Sequence, residues 1–511
     1  MHIAWLWIAT FVMLPPVSAG VFTVVNTNAA GPGSLRQAIT DADASEDDSK
    51  LIIFSIPGSG PHKIDVSGNP LPTVTSSVTI DGYTQPGARP NTLQTGNNAI
   101  ILIQIDGGGP AATTRTGLFL MGDCTIRGLS LTGFARPLSG AAIVIDPGDF
   151  PIAIGGNRIE GNFIGVAPDG VSVMGNYYGV RVRNAGGNTV GGGTLRSDEA
   201  VDPQTRNVIS GNEIGVSMIT LSNLVAGNYI GWDPSGLKQG FGNRIGIDMG
   251  AGIFNRIGGF AAGAGNLIGN NTVGIQAVNG ETRIQGNVIG PRADGGAGFG
   301  NQTGIEVSGR GIMVGGLAAE EGNVIAFNRT GIAVLPASFG STVGNRILSN
   351  LMYANVADID LAGDGFTPND PGDPDTGPNL LQNFPVVAEV KRSATSTTVV
   401  GGLNSKASTS FTLQFFATKR GTNPGQVLLG TETISTDSAG NARFEFSFPI
   451  PTAPDEFVTD SATDPDGNTS ELFPPNAQGE LANISTRGFV GTGEDVLIGG
   501  FIRGSGLAAR C

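Results

Sequence analysis

A pair of asparagines five residues apart recurs along the middle of this chain, usually with an apolar residue two positions after each. It reads Asn157-Arg-Ile-Glu-Gly-Asn162-Phe-Ile, then Asn207-Val-Ile-Ser-Gly-Asn212-Glu-Ile, then Asn223-Leu-Val-Ala-Gly-Asn228-Tyr-Ile. It returns at Asn266–Asn271, Asn323–Asn328 and Asn345–Asn350, and Thr282 takes the first place before Asn287. Such self-similarity marks a repeat architecture. Asn157–Gly192, Asn223–Gly259 and Thr282–Gly316 share one plan: the pair, an Ile-Gly, an Asp/Ser-Gly turn, a β-branched segment after Gly-Asn, and a closing Gly-Gly. Each unit therefore holds several strands of a few residues. Helical spacing of apolar residues is nearly absent.

Strands this short cannot bury a face alone, whereas stacked coils bury a continuous column of Ile, Val and Leu. Gly supplies the positive backbone angles of sharp corners, and Asn tolerates them. An Asn at one place in successive coils can hydrogen-bond to the Asn above and below, satisfying polar groups in a half-buried turn. The pattern reads as a structural ladder in preference to a set of ligand contacts. The fold class expected is all-β: a right-handed parallel β-helix over residues 51–365, capped by residues 20–50 and followed by a small antiparallel β-sandwich. Repeat units of ~60 residues are expected to span about three coils stacked ~4.8 Å apart.

The chain has 511 residues, more than one ordinary core holds. Its 81 Gly and 30 Pro would suit a disordered chain, but 39% apolar content with periodic β-branched residues argues for a packed one. Net charge is −14 with no basic cluster, which argues against nucleic acid or an anionic membrane as partner. Residues 1–19 have the form of a secretory signal: an apolar run Ile3–Leu14, a break at Pro15-Pro16, and small residues Val17-Ser18-Ala19. The run is short for a membrane anchor, and no other segment suits a membrane span after signal removal. The cysteines, Cys124 and Cys511, form no disulfide framework, and Cys124 suits a small core position. After the first strand, Ser34 can cap a short helix with Leu35, Ala38 and Ile39 on one side, placed to cover the exposed edge of the first coil.

Gly33-Ser34-Leu35-Arg36-Gln37-Ala38-Ile39, the stretch Leu71-Pro72 to Gly87, and the Asn-x-Ile-x-Gly-Asn-x-Ile-Gly repeats resemble secreted bacterial parallel β-helix proteins of the pectin-lyase-like superfamily. The resemblance covers roughly residues 21 to 380. It implies the architecture; it does not imply one activity, since that superfamily includes lyases, glycoside hydrolases, adhesins and members without known activity. Beyond an acidic Gly/Pro linker at 366–384, the texture changes to longer strands of period two. Residues 385–473 are expected to form an Ig-like sandwich. Residues 474–511 then resemble a linker and the opening of a truncated C-terminal module.

Candidate chemistry is sparse. With His2 in the signal, His62 is the one histidine left, which excludes a multi-His metal site. A lone His is expected on the surface or in packing. Polygalacturonases of the resembled superfamily carry Asn-Thr-Asp, Asp-Asp and His-Gly signatures, and pectate lyases carry Trp-Ile-Asp-His; here the only Asp-Asp is Asp47-Asp48 in a polar loop. No catalytic residue is assigned. Arg158, Arg181, Arg183, Arg206, Arg244, Arg256, Arg283 and Arg292 could line one face, or stand as solvated outer-face residues. The best constellation is Asp364, Asn369, Asp370, Asp373 and Asp375, after Asp358 and Asp360. Crowded carboxylates and amides on a Gly/Pro loop suit Ca²⁺, though the spacing is not that of an EF-hand. A solvated linker whose Asp and Asn cap turns is the alternative. Three functions remain open: a non-catalytic secreted or cell-surface protein binding polysaccharide, cell-surface glycans or surface partners along the solenoid face; a polysaccharide lyase or glycoside hydrolase acting on acidic polysaccharide; and a structural stalk. Oligomeric state and ligand identity are not readable.

Overall fold

The computed structural model describes residues 19–148, 153–194, 199–250, 252–278, 280–338, 340–419 and 426–472. Of the expected signal peptide at 1–19, residues 1–18 lie outside the described residues, as does the expected tail at 474–511; Ala19 begins the first strand. The chain divides into two compact units, residues 1–243 and 244–511.

The first unit is a parallel β-helix with three long sheets and a short two-stranded one, Ala153–Ile154 with Ala185–Gly186. Sheet A stacks Ala19–Val24, Ser49–Phe54, Thr79–Asp81, Thr125–Arg127, Arg158–Glu160, Thr189–Gly191 and Leu224–Ala226. Sheet B stacks His62–Asp65, Ile103–Asp106, Leu129–Thr132, Phe163–Ile164, Val208–Ile209 and Tyr229–Ile230. Sheet C stacks Thr116–Leu120, Ala141–Ile145, Tyr178–Val182 and Ile214–Met218. All pairings are parallel and in register, so Ile52, Ile80, Ile126 and Ile159 form one buried column. Each fully buried Ile or Val contributes about 1.5–3 kcal/mol. The helix Leu35–Ala44 packs on the first two sheet-A strands, with Leu35, Ala38, Ile39 and Ala42 buried and the Ser34 hydroxyl accepting from Gln37 N. It covers the unpaired edge, in line with the expectation from its sequence.

The second unit repeats the plan with Arg256–Gly258, Arg283–Gln285, Met313–Gly315 and Arg346–Leu348 in sheet A. Leu267–Ile268, Val288–Ile289, Val324–Ala326 and Leu351–Tyr353 form sheet B. Ile245–Met249, Val273–Ala277, Thr303–Val307, Thr330–Val334 and Ala357–Leu361 form sheet C. Arg283 pairs with Met313, and Val273 with Thr303, each one coil and 30 residues apart. The expectation of ~60-residue units spanning three coils is thereby corrected: a coil takes about 30 residues and gives one strand to each sheet.

Asparagines stand at all three corners. Before sheet B, Asn162 Nδ2 donates to Asn207 Oδ1 (3.2 Å) and Asn207 Nδ2 to Asn228 Oδ1 (2.9 Å). Before sheet C, Asn176 donates to Asn212 and Asn212 to Asn243. Before sheet A, Asn157 donates to Asn188 and Asn188 to Asn223. The second unit repeats the ladder from Asn266 through Asn287 and Asn323 to Asn350, and from Asn271 through Asn301 and Asn328 to Asn355. The tight corners put the preceding residue in the left-handed region. Gly161, Gly227 and Gly286 hold that place before sheet B, at φ 65°, 74° and 65°. That conformation explains Gly at these three places; before Asn176 and Asn301 the φ is not positive, and a Cβ on Gly175 or Gly300 would instead collide with the backbone carbonyl of Gly211 or Phe327.

The sandwich belongs to the second unit. One sheet orders Val386–Arg392, Thr397–Asn404 and Asn441–Phe448; the other orders Val427–Ser435, Ser410–Lys419 and Glu456–Thr463, all antiparallel. Phe411, Leu413, Phe415, Phe444 and Phe448 fill the space between them. Its side chains satisfy the open edge of the last coil. Gln414 Oε1 accepts from Ser349 N (2.7 Å), Gln426 Oε1 from Met352 N (2.7 Å), Thr469 Oγ1 from Ile347 N (3.0 Å) and Glu471 Oε1 from Leu361 N (2.9 Å). Side-chain oxygens thus occupy positions that backbone carbonyls of a further coil would take.

Candidate functional site

The acidic loop at the end of the solenoid is not an open cluster. Asn369 exchanges two hydrogen bonds with the Phe384 backbone, at 2.8 and 2.9 Å. Asp370 N donates to Asn383 Oδ1 (3.1 Å), and Asp370 Oδ1 is a buried oxygen without a hydrogen-bond partner. The Asp373 carboxylate accepts from Ser405 Oγ, from Gln382 Nε2 (2.6 Å) and from Asn383 N (3.2 Å). Burial raises the Asp373 carboxyl above its ordinary value, against those hydrogen bonds, and the charges of Asp370 and Asp375 add to the rise. Asp364 is exposed. Residues 366–384 thus fold onto the sandwich through their polar side chains. Among the described residues no group of three or more His, Cys, Asp or Glu is placed to hold a metal ion.

Of the arginines named from sequence, Arg158, Arg256 and Arg283 lie on sheet A, the last two as in-register neighbours, whereas Arg181 lies on sheet C and Arg206 and Arg292 lie outside the strands. On sheet A of the first unit, Asp81, Arg127 and Glu160 occupy one outward column on three successive coils. Arg127 lies 3.7 Å from Asp81 and 3.8 Å from Glu160, and Arg158 lies 3.2 Å from Glu160. Arg127 also covers the Tyr83 ring at 5.5 Å, while Tyr83 Oη donates to Gly161 O (2.5 Å) and burial raises its hydroxyl well above the usual range. The network is largely shut from solvent: Glu160 exposes 12% of its side chain and Asp81 20%. Arg206 is buried, donating to the carbonyls of Leu93, Gln94 and Gly96 and stacking on Tyr229 at 4.7 Å. It clamps a loop. Arg292 pairs with Asp294 (2.7 Å).

Sheet C of the first unit presents a different surface. Arg181 is half-buried and stacks on Tyr178, 4.4 Å from the ring centroid. Tyr178 meets Tyr177 edge to face at 4.9 Å. The coil before places Val144 beside Arg181, and the one before that places Phe119 in the same column. At the end of the strand Arg183 lies 3.6 Å from Asp146, which also accepts from Asn184 Nδ2 (3.0 Å). No carboxylate pairs with Arg181 among the described residues. Flat aromatic and guanidinium surfaces with free donors suit the C–H face and hydroxyl edge of a sugar ring. Sequence reasoning names Arg181 and Arg183 within a longer roll but misses Tyr178: residues three apart on a regular strand face opposite ways, so the Tyr178-Gly-Val-Arg181 spacing gives no signal of the stack.

His62 lies in the first strand of sheet B, its Nε2 accepting from Gln85 Nε2 (3.2 Å) in the tautomer protonated on Nδ1. Next to it Lys63 pairs with Asp106 (2.8 Å). Cys124 is buried and free, and burial pushes its thiol up to about 11, leaving it unreactive.

The fold class is a parallel β-helix joined to an antiparallel β-sandwich. No family model and no curated protein matches the chain. A solved structure similar to it is the tailspike protein gp49 from Acinetobacter baumannii bacteriophage Fri1, a capsular polysaccharide depolymerase; identity is 8%, coverage is 83% of this chain and 75% of that chain, and the TM-score is 0.20. No described helix is long and apolar enough to cross a membrane.

Proposed function

We propose that the protein is exported and acts by binding glycan, without catalysis, on the outward face of sheet C around Tyr178 and Arg181. The observation that carries this reading is the stacked Tyr178–Arg181 pair, whose guanidinium has no carboxylate partner among the described residues, while the carboxylates on sheet A are engaged with Arg127 and Arg158. The test is retention of purified protein on a panel of acidic and neutral polysaccharides, alongside assays for unsaturated products and reducing ends. Arg181→Ala and Tyr178→Ala should each weaken retention about tenfold, the scale of one good charged or stacking contact. Retention unchanged by both would remove the site. A polysaccharide lyase or glycoside hydrolase is the second reading, favoured by carboxylates beside Arg127; product release abolished by Glu160→Gln would establish it.

Ca²⁺ on the Asp364–Asp375 loop belongs to the same proposal, supported by the unpartnered Asp370 Oδ1 beside Asp373. Chelator should then lower the melting temperature and Asp370→Asn should cancel that effect. Identical melts with and without chelator would take the ion out of the reading.

A further inference from the structure

Asp460 lies in the strand Glu456–Thr463, directly opposite Phe415. Val458 and Ala462, two residues to either side, belong to the sandwich core, so strand alternation turns Asp460 into that core. It is fully buried, and neither carboxyl oxygen has a hydrogen-bond partner. The inward side chains around it are apolar: Leu413, Phe415, Leu429, Phe444 and Phe448. Among the charged residues with described side chains, Glu432 and Arg392 share the inward alternation of neighbouring strands, and Glu456 that of Asp460's own strand. Glu432 stands opposite Leu413, half-exposed; Arg392, exposed at its strand end, donates to Glu456 O; and Glu456 accepts from Ala453 N. Lys391 and Glu445 pair on the solvent side. No described residue forms an ion pair with Asp460. An isolated carboxylate in such a place is so costly that the group stays neutral. Burial alone accounts for the rise of its carboxyl well above the ordinary value of 3.8.

We propose that Asp460 makes the sandwich a pH-sensitive clamp on the last coil, closed with a neutral carboxyl and loosened as that carboxyl ionises. The strand has two faces. The inward one carries Asp460; the other carries Thr459, which accepts from Gln426 Nε2 (3.3 Å), the same Gln426 that caps Met352 N. Ser461 pairs in register with Gln414, which caps Ser349 N. A strand displaced by charge in the core therefore releases the caps on its far side. The sign follows from linkage. The folded state holds a proton that the unfolded chain gives up near 3.8, so stability is complete below that value and falls as pH rises towards the folded value.

The test is hydrogen exchange of the full-length protein, read by mass spectrometry on peptides covering 410–419 and 456–463 and corrected for intrinsic rates. In wild type the opening constant should rise with pH, by up to about tenfold per pH unit, the limit for one proton. Asp460→Asn, which cannot ionise, and Asp460→Leu, which buries no polar group, should both flatten that rise; where one variant fails to fold, the other decides. A wild-type opening constant that does not change with pH overturns the proposal without any variant. So does an equal rise in wild type and variant.

Discussion

Asn287 shows at a single position why the repeat needs asparagine. Its Oδ1 accepts from Asn266 N and Nδ2, at 3.1 and 2.9 Å. Its Nδ2 donates to Ile257 O, Gln285 O and Asn323 Oδ1. Asn287→Ala leaves several buried groups unpaired at once, so it should cost about 2–3 kcal/mol, read as a lower midpoint in urea. Thr282 marks a break in another column: it is fully buried and its Oγ1 has no hydrogen-bond partner. The residue before a ladder asparagine is the second constraint. Ala354 takes φ 54° there, where its Cβ is crowded. Ala354→Gly should raise stability by about 1 kcal/mol, checked by the same unfolding curve. The ladder is legible in sequence because an amide recurring among apolar residues must be paired wherever the fold buries it, and only its own copies recur at the same interval. Which corner each asparagine serves is not. Asn157–Asn162 brackets a sheet-A strand, whereas Asn207–Asn212 brackets a sheet-B strand. One motif stands in two registers, and treating them as equivalent inflates the number of coils and shortens each one.

At the scale of elements, what matters is how strand edges end. The opening edge is closed by a helix whose Ser34 cap and apolar side can be read directly, since an N-cap and its periodicity are local signals. The closing edge is sealed by Gln414, Gln426, Thr469 and Glu471, four residues spread over almost sixty positions. In sequence they look like the solvent-facing half of alternating strands. Nothing local distinguishes a polar residue facing water from one facing a bare sheet edge, so the capping is not legible. The acidic loop is half legible for a related reason: the Asp373 oxygens are visible in sequence, while their donors Ser405 and Gln382 lie outside the Asp364–Asp375 stretch. Gln414→Ala removes the acceptor from Ser349 N and a donor to Ser349 Oγ. It should destabilise the second unit by about 1–3 kcal/mol, the cost of a buried donor left unpaired. It should also speed exchange of the Ser349 amide while leaving the first unit unchanged. A loss of protection shared by residues 19–243 would contradict a local cap.

For the molecule as a whole, acidity runs through both its charge and its joints. A net charge of −14 and pI near 4.6 mean that mild acidification lowers self-repulsion. The second unit adds a specific contribution at Glu471. Its Oε1 accepts from Leu361 N and its Oε2 from Thr367 N (3.0 Å), so one carboxyl holds both the last sheet-C strand and the segment leaving it. Burial raises this carboxyl from 4.5 to about 7, outweighing the two amide hydrogen bonds, with the Asp360 charge adding to the rise. Because the folded value lies above the unfolded one, the stabilisation is complete below 4.5 and is lost as pH rises to about 7, a change on the order of 3 kcal/mol. Melting of the full chain should therefore move to lower temperature between about pH 5 and about pH 7. Glu471→Gln keeps an acceptor for Leu361 N but cannot ionise, so its melt should lose that part of the slope. Asp460 and Glu471 act on different contacts, one in the sandwich core and one at the solenoid edge, and their effects should add in the double variant. A Glu471→Gln melt with the full wild-type pH dependence would assign the slope elsewhere.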